Sequence, residues 1–214
     1  YTEDWETAID YYKQLVSINT LNANYHFKYG AATVMKALKI SKVRALFYVS
    51  DIKEAFETEV RLDPFHIEAR WALVEFYIQL PVLIGGSEVK AIEYANQLGR
   101  ISPVDGYLAN GYIAEYKDRP LDAENYYKKA IETMLKTLDV DISKLEFVKG
   151  SEMQLSPEYM YDVLQLTSLA SVQNAKKAAS EVVKGMDNPN VSGLVYPLMQ
   201  AMDEEYLKVD AQFG

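Results

Sequence analysis

A short segment occurs three times along this chain. Ala8-Ile9-Asp10-Tyr11-Tyr12-Lys13-Gln14-Leu15 is one copy, Ala91-Ile92-Glu93-Tyr94-Ala95-Asn96-Gln97-Leu98 a second, and Ala123-Glu124-Asn125-Tyr126-Tyr127-Lys128-Lys129-Ala130 a third. Each copy has a small residue, an acid or amide two positions on, a tyrosine three on, and a small or aliphatic residue seven on. Spacings of three, four and seven place these positions on one face of a helix. Helices repeated in this way cannot bury that face alone, so they stack on one another. The pattern predicts an all-α helical repeat, and it favours binding over catalysis.

Prolines set the frame of the repeat. Asp63-Pro64 and Ser102-Pro103 each follow an apolar helical stretch. Proline cannot continue a helix, and it pushes the preceding residue out of the α region. Each pair therefore ends one helix and begins the next. Between Pro103 and Ala123 lie Tyr107, Gly111 and the turn Asp118-Arg119-Pro120. Tyr107, Gly111, Ala123, Tyr127 and Ala130 match the tetratricopeptide repeat pattern, and the chain resembles that family. Trp71, Ala72, Ala91, Ala95, Leu98 and Pro103 match another unit. Asn110 and Ala114 depart from the pattern. Glu59 fills a position that should be small. The stretch 79–87 is an insertion between two helices.

The resemblance implies a right-handed α-α superhelix of helical hairpins with additional C-terminal helices. It implies a single domain over 1–214, best matched at 65–132, with divergent helices at 156–212. In such a fold the first helix of each pair lines a concave groove. That places His66, Leu73, Phe76 and Tyr77 on the groove from one unit. Asp105, Leu108, Tyr112, Glu115 and Tyr116 line it from the next. The binding surface expected from the resemblance is Leu73, Phe76, Tyr77, Tyr112, Glu115 and Tyr116. Aromatic rings give a large contact area with little entropy loss, which suits a peptide. The competing reading is that these rings are helix–helix core. The resemblance thus implies a protein- or peptide-binding scaffold.

Composition narrows the classes further. The chain has 214 residues, enough for a sizeable core, with 49% hydrophobic and 25% charged residues. Its net charge of −9 argues against nucleic acid, and the acids Asp105 and Glu115 at the expected groove favour a neutral or basic partner. It has no cysteine, which removes disulfides and thiolate metal sites. His26 and His66 lie far apart and have no neighbouring ligand pair. No apolar run is long enough to span a membrane. The first residue is Tyr1 rather than Met. This fits a secreted or periplasmic protein after signal removal as well as a cytoplasmic one, so the compartment stays open.

Local signals predict helices from Trp5 to about Ser17, capped by Thr2 or Asp4, and from Asn22 to Ile40. Lys42 to Leu62 reads as helix, interrupted near Ser50-Asp51, where Asp51 caps a new start. Phe65 to Ile78 is strongly apolar. Ser87 caps the next helix, and 104–117 with 121–137 form the best helical pair. Leu138 to Leu155 reads as linker or loop. Ser156-Pro157-Glu158 opens a helix toward Ser171, and another spans Val172 to Met186, closed by Asp187-Asn188-Pro189. The last runs from Val191 to Val209, with a bend or a fresh start at Pro197.

Catalytic motifs are absent. There is no Gly-x-Ser-x-Gly, His-Glu-x-x-His or Gly-x-Gly-x-x-Gly, and no serine–histidine pair. Gly85-Gly86-Ser87 before a helix could cradle an anion, but a flexible cap is the simpler reading. Asp139, Asp141 and Asp203-Glu204-Glu205 read as solvated acids without calcium-loop spacing. The expectation is therefore no enzyme, no cofactor and no metal. Two rival roles stay open. One is a structural subunit that self-associates. The other is a small-molecule binder with a pocket near the 81–87 insertion.

Overall fold

The computed structural model describes residues 4–182 and 190–208. Thr2, the turn Asp187-Asn188-Pro189 and Val209 lie outside them. The regular elements among the described residues are all helical, and the protein is all-α. Where one domain over 1–214 is expected, the chain divides into two compact units, Tyr1–Leu145 and Glu146–Gly214.

The first unit begins with α1 (Trp5–Ile18) and α2 (Ala23–Lys39). Asp4 caps α1 by accepting from the Thr7 N–H, and Asn22 caps α2 by accepting from the Tyr25 N–H. The expected helix over 42–62 is broken. A short α3 (Lys42–Ala45) and a 3-10 turn at Leu46–Tyr48 precede α4 (Val49–Leu62). Asp51 does not cap. It lies in the first turn of α4 and accepts a 2.9 Å hydrogen bond from the Tyr29 hydroxyl of α2.

The core follows in α5 (Ile67–Gln79), α6 (Glu88–Ile101), α7 (Pro103–Tyr116) and α8 (Pro120–Thr137). Ser102 closes α6 and opens α7, its side chain accepting from the Asp105 N–H, while Pro103 fills the first helical position. Ile52, Phe56, Leu73, Val74, Ile78, Leu98 and Ile113 form one apolar cluster with Ala69, Ala91, Ala95 and Ala109. Long helices pack mainly on their neighbours in the chain, α7 with α8 most extensively. Small residues permit this. A Cβ on Gly106 of α7 would lie 2.3 Å from the Gly99 Cα of α6. Ala123 and Ala130 are buried on α8.

The second unit contains α9 (Gly150–Gln154), α10 (Pro157–Leu169), α11 (Val172–Val182) and α12 (Val191–Leu207). Ser156 caps α10 by accepting from the Tyr159 N–H. The expected loop at 138–155 holds a 3-10 turn at Ile142–Lys144 and the short α9. α12 begins at Val191 and continues through Pro197, so the helix does not restart there.

Gly111 gives a direct test of the α7–α8 packing. The repeat pattern predicts that alanine is tolerated there. The structure differs, because a Cβ at Gly111 would meet the Tyr127 ring at 2.5 Å. That ring is tethered by its hydroxyl, which donates to Glu115 at 2.7 Å. Alanine gains about 0.5–1 kcal/mol of helix propensity, yet the clash outweighs it. Gly111→Ala is expected to lose about 1 kcal/mol in urea unfolding, and Gly111→Val more.

Candidate functional site

The six residues expected to line the groove do not share one surface. Leu73 is fully buried and Tyr77 is 2% exposed, both in the apolar core. The Tyr77 hydroxyl donates to Glu57 at 2.5 Å and its ring stacks on Tyr94 at 5.8 Å. Burial and the Glu57 hydrogen bond push its pKa well above the usual tyrosine value. Phe76 is half-buried, edge-on to Tyr77 at 5.3 Å. Tyr112 accepts a 2.7 Å hydrogen bond from the Gln79 side chain. Tyr116 is 49% exposed and its ring lies 6.4 Å from that of Tyr112. Glu115 is exposed and accepts from Tyr127. Tyr116 is exposed beside the half-buried Tyr112, which packs against the core, while Leu73 and Tyr77 present no surface.

Gly85-Gly86-Ser87 forms no anion cradle. The Gly85, Gly86 and Ser87 N–H groups donate to Val82, Pro81 and Tyr77 carbonyls. Gly85 takes φ of 107°, and a Cβ on Gly86 would overlap the Leu80 carbonyl, so both glycines serve the turn.

Glu59 is the most unusual group of the first unit. It is fully buried, and neither carboxyl oxygen has a hydrogen-bond partner. Burial pushes its pKa up to about 8, helped by Asp63 and Glu68 and opposed by Arg70. Arg70 spends its donors on the His66 carbonyl and Gln97. The His66 Nδ1 lies 3.5 Å from Glu59 Oε1, but that nitrogen accepts from the Ala69 N–H and so presents a lone pair. An unprotonated Nδ1 beside a carboxylate is repulsive, and a neutral Glu59 removes the conflict.

In the second unit, a polar network ties α12 to α9 and α10. Tyr159 is fully buried, and its hydroxyl lies 2.8 Å from both Asp203 Oδ1 and the Met199 carbonyl. Gln154 donates to both Asp203 oxygens at 3.1 and 3.0 Å. Burial, then the hydrogen bond to Asp203, raises the Tyr159 pKa. Tyr206 sets its ring 5.0 Å from Tyr159 and donates to Asp162 at 2.6 Å, a bond that pushes its pKa up to about 12. Asp203 is therefore not a solvated acid, whereas Glu204 and Glu205 are exposed as expected. Among the described residues no group of acids and histidines could hold a metal ion.

The model of the tRNA synthetases class I (W and Y) matches residues 106–214, just over half of the chain. The chain belongs to this family. The matched stretch starts inside α7 and takes in α8 and all of the second unit. Among its relatives is the cytoplasmic tyrosine–tRNA ligase of Danio rerio, 55% identical over 89 residues, which are 42% of this chain and 17% of that protein. The Saccharomyces cerevisiae enzyme is 48% identical over 99 residues, 44% of this chain and 25% of its own length. A probable tyrosine–tRNA ligase of Encephalitozoon cuniculi is 54% identical over 89 residues, covering 42% of this chain and 26% of its own. The chain thus spans about a sixth to a quarter of the length of these relatives.

These matches correct the assignment to the tetratricopeptide family. They also overturn the expectations of a scaffold or self-associating subunit, of no enzyme and of no nucleic-acid partner, since the relatives are tRNA ligases. The reading of a small-molecule binder at 81–87 falls with them. The reason is physical. Small residues and tyrosines at helical spacing report close helix packing, which many families share. Net charge sums over the whole surface and does not describe a local one. The informative signal is identity sustained over roughly 90 residues, which seven-residue spacings do not register.

Two measurements check the site chemistry. Glu59 has a folded-state pKa raised above its unfolded value, so the folded chain holds this proton more tightly. Its favourable contribution is complete below the unfolded pKa and is lost as pH rises through about 8. The melting temperature should fall across that range, and Glu59→Gln should flatten the decline. Tyr159→Phe removes the hydroxyl that binds Asp203 and should cost about 1–3 kcal/mol in chemical unfolding.

Proposed function

We propose that residues 106–214 serve the attachment of tyrosine to its tRNA, as part of a tyrosine–tRNA ligase. The observation that carries this reading is 48–55% identity to tyrosine–tRNA ligases over about 90 residues. The second unit contributes a helical piece of such an enzyme. Its Tyr159–Asp203–Gln154 network holds α12 in place against α9 and α10. We propose further that the first unit winds as a right-handed α-α superhelix. The packing of each long helix on its chain neighbours supports that reading.

The test uses the whole chain. Equilibrium dialysis with labelled tyrosine, and filter binding of tyrosine tRNA against a tRNA for another amino acid at low salt, should give retention of tyrosine and preference for its tRNA. No retention of either over an albumin control overturns the reading.

A further inference from the structure

We propose that the cavity between α2, α4 and α5 is a binding site for a small amphiphilic amine, an apolar body carrying one ammonium group. The cavity measures about 620 Å³, a size suited to small ligands, and lies wholly within the first unit. This site is independent of the ligase reading, whose support comes from residues 106–214.

The lining is apolar by construction. The buried residues Ile52 and Phe56 of α4 form its base, and Phe27 and Phe76 supply ring walls. Ala31, Ala45 and Ala72 line it with single methyl groups, which take up little of the space. Partly exposed Met35 and exposed Leu38 line it too, so it opens to solvent. An apolar body entering here removes its own surface and that of the walls from water.

The charge of the site selects the head group. Glu68 and Glu75, both on α5, line the cavity, against the single cation Lys42. Glu68 already lies 3.5 Å from the His66 ring. Glu75 has no hydrogen bond or ion pair among the described residues. Glu75 is exposed on α5, and partial desolvation beside the cavity raises its pKa. An ammonium group carried on the apolar body can pair with this carboxylate at the cavity lining. A carboxylate-bearing ligand would instead meet two acids.

Displacement of the neutral fluorophore N-phenyl-1-naphthylamine from the whole chain tests this with octylamine, octan-1-ol and octanoate. Octylamine should displace it at about tenfold lower concentration than octanol, with octanoate weakest. In Glu75→Gln the amine and the alcohol should converge while octanol is unchanged. Ala72→Phe, which fills the cavity, should abolish uptake of the fluorophore itself. Equal displacement by amine and alcohol in the parent overturns the proposal, as does an amine preference that survives Glu75→Gln. The charge comparison needs only Glu75→Gln, a surface change that leaves the core intact, so it holds even if Ala72→Phe fails to fold.

Discussion

Close approach of helices that follow one another in the chain governs the first unit. Ala91 and Ala95 of α6 and Ala109 of α7 are fully buried, and Gly106 leaves no room for a Cβ beside Gly99. Small residues let two backbones meet, and the larger side chains beside them, Leu73, Leu98 and Ile113, then fill the space that remains. Gly111 follows the same logic across α7 and α8, where the Tyr127 ring takes the place of a side chain. Without these approaches each helix would expose an apolar stripe that no single hairpin can cover.

Buried polar groups are handled in two opposite ways. In the second unit Tyr159, Gln154 and Asp203 satisfy each other, so a buried hydroxyl becomes a tie between α10 and α12. In the first unit Glu59 is buried with no such partner, and loss of its charge takes the place of pairing. The same carboxyl sits where the repeat pattern calls for a small residue. A departure from the pattern and an unusual protonation state therefore coincide at one position.

Much of the helical layout was legible in the chain. Asp4, Asn22, Ser87, Ser102 and Ser156 all cap helices, because a short polar side chain before an apolar stretch has few other uses. The break at Leu46–Tyr48 was less so, since Asp51 pairs with the distant Tyr29 instead of capping its own helix. The same holds for the candidate groove. Phe76 and Tyr77 are adjacent in sequence, yet one lines a cavity and the other is core. Periodicity gives the face of a helix, but a helix packed on two sides has no single outer face.

Sequence by itself determined that the chain is all-α, where most helices start and stop, and, through the family match over 106–214 and identity sustained over about 90 residues, its similarity to tyrosine–tRNA ligases. These follow from local backbone preferences and from residue-by-residue likeness, neither of which needs a third dimension. Tertiary structure decided which tyrosines are core, that Glu59 is stranded among His66, Arg70, Asp63 and Glu68, and that Asp203 is a structural acceptor. It also decided that alanines from α2, α3 and α5 enclose one cavity. Burial and pairing belong to groups brought together from distant positions, so they exist only once the helices have packed.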